Sequence, residues 1–286
     1  MEGKAMNIGL FLLLQPFASV EGQLKIAKEM GFTCADVTDT NAGGSMLGTA
    51  GFSPTVSLDD NPFDVKRLFD KYGMKISTVC AHANLLDPSK PSRYGTSEIM
   101  KAIKMAAAIG VKDIITTENE PSTEWGRKLN FDQRTFIIAE KLYEPVKMAA
   151  DFGVRLLLEN HGPITDTAEG LQKIFDLLDN NPVLGLNLDT GNSWLGGSNP
   201  VELAKTFKDK IHHIHWKDLG EDWVPKRGKQ FGAGFSTIAM GDGVIDIKGV
   251  CEVLKDANIE NSTLEIVGDL EIFQKSVKFL KDCGIK

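Results

Sequence analysis

The stretch that decides the fold reads VRLLLENHG and runs from Val154 to Gly162. Its apolar part is short and bounded by turn residues, which is typical of a strand buried on both faces of a parallel sheet. The strand ends in Glu159, followed by an amide, an imidazole and a glycine. An unpaired buried carboxylate is costly, so we expect Glu159 to face a metal ion or another partner at the strand end.

Strand and helix patterns alternate on both sides of this stretch. The predicted strands are residues 7–14, 32–38, 75–83, 111–117, 154–159, 183–188, 211–216 and 262–267. Eight strand–helix units imply a parallel sheet closed into a single (β/α)8 TIM barrel. A doubly wound open sheet is the rival architecture. However, the turn from Gln15 to Ala18 lacks the glycine pattern with which such folds bind phosphate after their first strand.

We expect one barrel domain to occupy residues 1–286, because a barrel of this type needs about 250 residues. Met6 is an alternative native start, in which case residues 1–5 would not belong to the natural protein. Two long glycine-rich loops are predicted, at residues 41–58 and 219–244.

The composition excludes several classes of partner. The net charge of −7 gives no basic surface for nucleic acid or an anionic membrane. No apolar run approaches the roughly 20 residues of a membrane-spanning helix. The cysteines lack close spacing, so we expect reduced thiols in a cytoplasmic protein rather than disulfides or a thiolate zinc site; they are Cys34, Cys80, Cys251 and Cys283.

Metal-competent side chains stand at the carboxyl ends of the last four predicted strands: Glu159, Asp189, His215 and Glu265. Catalytic groups of such barrels gather at this end. Three carboxylates and one imidazole suit a divalent ion, with Mn²⁺ as the first choice and Mg²⁺, Co²⁺ or Zn²⁺ as alternatives. A helix cap or a salt bridge would explain each residue alone, but four successive strand ends favour a metal site.

Strand seven contains three histidines. Period-two alternation places His213 and His215 on one face and His212 on the other. His215 lies nearer the carboxyl end and is the predicted ligand, whereas His213 would fill the layer below it or support the ligand.

Other polar residues near the strand ends are candidates for binding a polyol substrate: His82, His161, Asn192 and Lys217. His161 lies two residues after Glu159 and should face the same way. For both histidines, simple packing at the barrel rim is the alternative. Trp194 or Trp216 could add a stacking contact.

The order of these motifs resembles the xylose isomerase-like TIM-barrel superfamily, in particular its sugar phosphate isomerase/epimerase branch. That branch includes D-tagatose and D-psicose 3-epimerases, hydroxypyruvate isomerase and the inositol-catabolism isomerases and dehydratases. The resemblance covers essentially the whole chain and is most specific at residues 154–267. Its motifs are LLLENHG, NLDTGN, HIHWKD, GDGVID at residues 241–246, and LEIVG. It places the metal ligands of the family on the four residues named above.

The resemblance implies a small carbohydrate substrate whose carbonyl is polarised by the ion, so that an enediolate forms when the neighbouring proton leaves. By carry-over from the ketose 3-epimerases, Glu159 and Glu265 are the catalytic acid/base pair. We therefore predict a divalent-metal-dependent isomerase or epimerase of a sugar or keto-sugar. Barrels of this family often form dimers or tetramers, so a homo-oligomer is a further expectation.

Three positions depart from the epimerase pattern. Asn160-His161-Gly162-Pro163 follows the first glutamate, Asn192 replaces a histidine, and Glu221 stands where an arginine is usual. These positions bind substrate in the epimerases, so a lyase acting through the same metal site remains open. Its substrate would be a keto-inositol, a dehydroshikimate-like compound or a 3-keto-glycoside. The general acid would then be His161 or His82.

Two other functional classes are less consistent with the sequence. Endonuclease IV shares the barrel but binds three zinc ions through five histidines, whereas here His212 and His213 face opposite ways. Asn192 also stands where that enzyme needs a histidine. A barrel used only for binding would not need to retain both Glu159 and Glu265.

Overall fold

The computed structural model describes residues 6–14, 18–39, 55–86, 94–121, 123–233, 236 and 238–285. Its strands pair in parallel and in chain order, and the last pairs with the first, so the sheet closes. They are β1 (Asn7–Phe11), β2 (Cys34–Val37), β3 (Lys75–Ala81), β4 (Asp113–Thr117), β5 (Arg155–Glu159), β6 (Leu184–Asp189), β7 (Ile211–Trp216) and β8 (Asn261–Leu264). The predicted (β/α)8 barrel is confirmed.

Helices follow the strands in chain order. They are α1 (Val20–Glu29), α2 (Pro62–Lys71), α3 (Tyr94–Ile109), α4 (Glu124–Lys128), α5 (Phe131–Phe152), α6 (Ala168–Leu177), α7 (Thr190–Leu195), α8 (Pro200–Thr206), α9 (Ile247–Leu254) and α10 (Leu270–Asp282). The sequence did not predict α4, α7 or the 3₁₀ helix Glu221–Lys226. The turn at residues 15–17 and most of the predicted loop 41–58 lie outside the described residues.

Local sequence fixes the entry into β5. Helix α5 starts with a capping box, in which the side chains of Asn130 and Gln133 each accept from the backbone N–H of the other. It ends at Gly153, whose φ of 68° reverses the chain at little steric cost. The chain therefore enters the barrel wall directly from the helix.

Two hydrophobic clusters surround the barrel wall. The larger one packs the strands against the helices. The smaller one contains Phe11, Leu13, Cys80, Ile115 and Leu157. Because Leu157 shares a strand face with Glu159, this smaller cluster fills the barrel interior beneath the carboxyl end.

Some strands end earlier than predicted. β3 ends at Ala81 and β8 at Leu264, so His82 and Glu265 each directly follow a strand instead of lying within it. Both residues therefore stand at the mouth of the barrel. Within the described ranges, no helix combines the length and the apolar character required to cross a bilayer.

Candidate metal centre

The structure brings all four predicted ligands to one point. Each offers one ligand atom, and these atoms lie within 4.8 Å of one another. The four side chains are buried. Glu159 and Asp189 end β5 and β6, His215 lies near the end of β7, and Glu265 follows β8. The closed barrel thus gathers residues that are far apart in sequence.

The imidazole of His215 lies between two carboxylates. Its Nδ1 is 3.2 Å from Glu159 Oε2 and 3.0 Å from Glu265 Oε2. On the opposite edge, Nε2 lies 3.2 Å from Asp36 Oδ2. A carboxylate on the far nitrogen of a ligating histidine fixes the ring and its tautomer. Nδ1 is therefore left to face the centre.

The residues present fit a divalent cation. Asp189 Oδ2, His215 Nδ1 and Glu265 Oε2 are buried, and none has a hydrogen bond of good geometry among the described residues; they contact only the charged groups of this cluster. These are atoms of three of the four candidate ligands. Buried polar atoms normally have hydrogen-bond partners. Buried oxygen and nitrogen atoms that converge on one point are therefore suited to coordinating a cation. Three carboxylates and an imidazole form a donor set for a hard or borderline ion.

Asp189 also forms the N-cap of α7. Its Oδ1 accepts from the backbone N–H of Asn192 at 2.8 Å, which directs Oδ2 into the centre. Asn160, directly after the neighbouring strand β5, holds the backbone of Asp189 through two hydrogen bonds of 2.8 and 2.9 Å. The cap and this amide pair together fix the position of the carboxylate.

Two amides orient the carboxylate of Glu159. Asn187 Nδ2 donates to Oε2 at 2.9 Å, and Asn192 Nδ2 donates to Oε1 at 3.1 Å. Burial opposes the charged form, but the charge of His215 and the hydrogen bonds of His161 and His215 outweigh it. The pKa of Glu159 consequently lies well below its usual value. Glu159 is therefore present as a carboxylate, the form that binds cations.

Lys217 is buried beside the ligands. Its Nζ lies 2.8 Å from Asp189 Oδ2 and 3.0 Å from Glu265 Oε1. Burial disfavours the ammonium, but the charges of Asp189, Glu265 and Glu159 outweigh it and raise the pKa of Lys217. Lys217 therefore keeps a positive charge within the acidic cluster.

The other two histidines of β7 lie where alternation places them. His213 is buried below His215, and its Nε2 is 3.0 Å from Thr263 Oγ1. Burial lowers the pKa of His213 to about 4, so this ring is neutral. His212 lies on the other face of β7 and packs against Gly185, where an added Cβ would come within 2.7 Å of its ring.

The predicted substrate-binding residues surround this centre. His161 Nδ1 is 3.6 Å from Glu159 Oε1. Asn192 Oδ1 accepts from the backbone N–H of Ala233, so both ends of this amide already contact protein. His82 and the candidate ligand His215 both make edge-to-face contacts with the ring of Phe11, at centroid distances of 6.3 and 6.0 Å. Their contact with substrate stays a prediction.

Glu118, at the end of β4, supports the site and was missed by the sequence reasoning. Its Oε2 accepts from the backbone N–H groups of Ile164 and Thr165 and from the hydroxyl of Thr165. Gly162 permits this approach, because a Cβ there would lie 2.6 Å from the Glu118 carboxyl group. Glu118 thereby anchors the loop that carries His161.

Asp36, Asn160 and Asn187 were also missed. Asp36 and Asn187 lie inside strands, where period-two alternation can equally indicate a solvent-facing side chain. A signal was available for β2, because the segment ADVTD from Ala35 to Asp39 ends in an acid, as the later strands do.

Comparison with known sequences decides the family. The sequence profile of the xylose isomerase-like TIM barrel family matches residues 24–283. The chain belongs to this family. An inosose dehydratase of Clostridium botulinum (strain Alaska E43 / Type E3) is 27% identical over 262 residues, covering 83% of this chain and 87% of the relative.

Solved structures of xylose isomerase-like barrels share the fold. A D-tagatose 3-epimerase-like protein superposes with a TM-score of 0.73 at 21% identity, covering 97% of both chains. The IolI protein with a bound zinc atom has a TM-score of 0.73 at 16% identity, covering 98% of both chains. The relatives of this chain are enzymes, and the family is enzymatic.

Proposed function

We propose that the chain is a divalent-metal-dependent isomerase or epimerase that removes a proton from a carbon next to the carbonyl of a sugar or keto-sugar. The observation that carries this proposal is the pair of glutamates on one centre. Glu159 Oε2 and Glu265 Oε2 lie 3.2 and 3.0 Å from the same nitrogen of His215. One carboxylate would take the proton, and the other would return a proton to the neighbouring or opposite position.

Glu159, Asp189, His215 and Glu265 would hold the ion. Mn²⁺ fits this donor set, and Mg²⁺, Co²⁺ and Zn²⁺ are the alternatives. When bound, the ion polarises the substrate carbonyl and makes the adjacent C–H proton more acidic. This acidification is needed because carboxylates are weak bases toward carbon-bound protons.

Side chains around the centre would orient the base and bind the oxygens of the substrate. The amides of Asn187 and Asn192 hold both oxygens of Glu159, so this carboxylate keeps one orientation toward the substrate. The Lys217 ammonium lies beside Glu265 and would donate to a substrate oxygen that gains negative charge. His82, His161 and Asn192 would bind further hydroxyl groups of the substrate.

Dehydration is the second candidate, and a specific observation favours it. The curated relative with 27% identity over 83% of this chain is named inosose dehydratase, so the substrate would be a keto-inositol. Proton abstraction next to the ketone would be the same step. A hydroxyl on the next carbon would then leave as water, which isomerases and epimerases retain.

A substrate panel in D₂O tests the proposal. The Mn²⁺-loaded protein is incubated with ketohexoses, keto-inositols and 3-keto-glucosides, and products are followed by NMR. Deuterium should enter one carbon of at least one compound, and inversion, isomerisation or loss of water identifies the reaction. Glu159→Gln and Glu265→Gln should abolish this exchange, whereas Glu271→Gln on the exposed start of α10 should retain it. Absence of exchange with every compound would overturn the proposal.

The remaining expectations concern the surroundings of the protein. A homo-oligomer and a cytoplasmic location stay predictions, and light scattering of the purified protein tests the first. The proposed partner is a small carbohydrate.

A further inference from the structure

His82 and Asp39 form a hydrogen-bonded pair at the barrel mouth. His82 Nδ1 lies 2.7 Å from Asp39 Oδ1, and the backbone N–H of His82 donates to the same oxygen at 3.2 Å. A carboxylate can only accept, so Nδ1 is the donor nitrogen. Asp39 is fully buried, and two contacts to one of its oxygens hold the ring in a single orientation.

The second nitrogen of this ring is available. His82 Nε2 makes no hydrogen bond with the described part of the chain, and the side chain is 18% exposed. The rings of His82 and of the candidate ligand His215 both contact the ring of Phe11, and the charges of Glu159 and Glu265 act on His82. Nε2 is thus close to the candidate metal centre without belonging to it, so a substrate bound at that centre could reach it.

His161 is placed differently. Its Nδ1 faces Glu159 at 3.6 Å, and the backbone of Gly232 covers its other nitrogen. A Cβ added to Gly232 would lie 2.3 Å from His161 Nε2. His161 thus points Nδ1 at the proposed base Glu159 and has Nε2 near the backbone of Gly232, whereas His82 has one nitrogen anchored on a buried acid and a second with no hydrogen bond to the described residues. Of the two histidines, His82 is better placed to give a proton to a substrate oxygen.

The charge of Asp39 also suits this role. Burial disfavours the imidazolium form of His82, but the charge and hydrogen bond of Asp39 outweigh burial and raise the pKa of His82. Raising this pKa increases the fraction of His82 that carries a proton on Nε2 near neutral pH.

We propose that His82 is the general acid for the departure of a substrate hydroxyl and that Asp39 is its positioning residue. This inference rests on the proposed proton abstraction by the glutamate pair and selects dehydration as the outcome. The substrate class is a polyhydroxy ketone with a hydroxyl on the second carbon from the carbonyl.

A glutamate takes the proton from the carbon next to the carbonyl, and the electrons of that C–H bond form a carbon–carbon double bond. The C–O bond of the next carbon breaks, and its electron pair stays on the departing oxygen. That oxygen takes the proton from His82 Nε2 and leaves as water. Exchange with solvent then removes the proton from the glutamate and returns one to His82.

The test separates proton abstraction from loss of water. The Mn²⁺-loaded full chain is incubated in D₂O with 2-keto-myo-inositol and, in parallel, the other ketones of the panel. His82→Asn should slow loss of water about 10²–10⁴-fold more than it slows carbon-bound exchange, the range typical of a general acid. Asp39→Asn should give a smaller loss of the same kind, which Asp39→Glu partly restores. His212→Asn, on the other strand face of β7, is the matched control.

A fluorinated substrate distinguishes an acid role of His82 from a merely structural one, because only an acid role slows water loss without slowing fluoride release. In this analogue fluorine replaces the hydroxyl that would leave. Fluoride leaves without needing a proton, so His82→Asn should release fluoride at nearly the wild-type rate. Equal slowing of exchange, water loss and fluoride release would overturn the inference, as would no slowing at all. Metal content and circular dichroism of each variant verify that it is folded and loaded.

Wild-type behaviour distinguishes this inference from the proposed function. Exchange without loss of water on every ketone would overturn the role of His82 and leave the isomerase or epimerase proposal standing. Absence of both exchange and water loss would overturn both.

Discussion

The two halves of the barrel contribute different kinds of groups to its mouth. Strands β5–β8 and the residues after them, the binding half, supply all four candidate ligands. Strands β1–β4 and the residues after them, the supporting half, supply groups around that centre: Asp36 holds His215, Phe11 contacts the His215 ring, Asp39 holds His82, and Glu118 holds the loop after β5. The binding half orients Glu159 and Asp189 through its own amides, whereas His215 is held by Asp36 from the supporting half.

The largest expected effect is in the binding half. Glu265→Gln removes a negative ligand and one of the two proposed proton-transfer groups, so turnover of a substrate found in the panel should fall about 10³–10⁴-fold. Steady-state kinetics and Mn²⁺ titration would measure the loss. Glu271→Gln, the exposed control, should match the wild type. Turnover retained by Glu265→Gln would contradict the assignment of the ligands and the proton-transfer pair to the β5–β8 half.

Lys217→Met tests the charge balance of the binding half. In the metal-free protein this change leaves Asp189 and Glu265 buried without their cationic partner, so the free energy of unfolding should fall by about 3–5 kcal/mol. Mn²⁺ should reduce the loss, because the ion supplies the missing charge. Urea unfolding with EDTA and with Mn²⁺ measures both values.

Lys205→Met is the control for this comparison. Lys205 forms an exposed pair with Glu202, which contributes no more than about 1 kcal/mol. A Lys217→Met loss that is equal with and without Mn²⁺ would contradict a role for Lys217 in the charge balance of the centre.

Glu118→Gln tests the supporting half through pH. Burial raises the pKa of Glu118 to about 7, and the hydrogen bonds from Thr165 and Ile164 only partly oppose it. The folded protein therefore holds this proton more tightly than the unfolded chain. The stabilisation that comes from this bound proton is complete below about pH 4.5 and is lost as the pH rises to 7. The loss is about 3 kcal/mol in the free energy of unfolding, at about 1.4 kcal/mol per pKa unit.

The glutamine variant cannot titrate, so it should lack this decline. Urea unfolding of the wild type and the variant at pH 5 and pH 7.5 gives the change in unfolding free energy of each. The effects of the other titrating groups cancel when the two changes are compared. Parallel pH dependences would show that Glu118 keeps an ordinary pKa in the folded protein.

Asp36→Asn gives the smallest predicted effect. The amide can no longer hold His215 Nε2 as a carboxylate does, so Mn²⁺ affinity should fall about 10–100-fold while the ligands themselves remain. Isothermal titration measures the affinity, with Asp209→Asn on the surface after α8 as the control. Unchanged affinity would mean that the binding half orients its own histidine.

The sequence predicted the binding half better than the supporting half for a physical reason. Glu159 and Asp189 directly follow apolar runs, so local periodicity alone marks them as strand ends. Asp36 lies within a strand whose alternation fits either a solvent-exposed face or a barrel interior. Only closure of the sheet turns that face inward, where Asp36 meets His215.

The geometry of the loops and helix caps at the site could not be predicted from the sequence either. The short helix α7 was not predicted, although the N-cap role of Asp189 depends on it. Six residues give too little periodicity to identify a helix, and the N–H of Asn192 reaches Asp189 only once α7 has formed.

By itself, the sequence determined the order of strands and helices and the four residues that converge on the centre, since both follow from local periodicity and from the geometry of parallel barrels. The tertiary structure decided which polar groups pair. His82 and Asp39 are 43 residues apart and follow neighbouring strands, β3 and β2. No local pattern encodes that contact, because it forms only when β2 and β3 pair and burial makes an unpaired carboxylate costly.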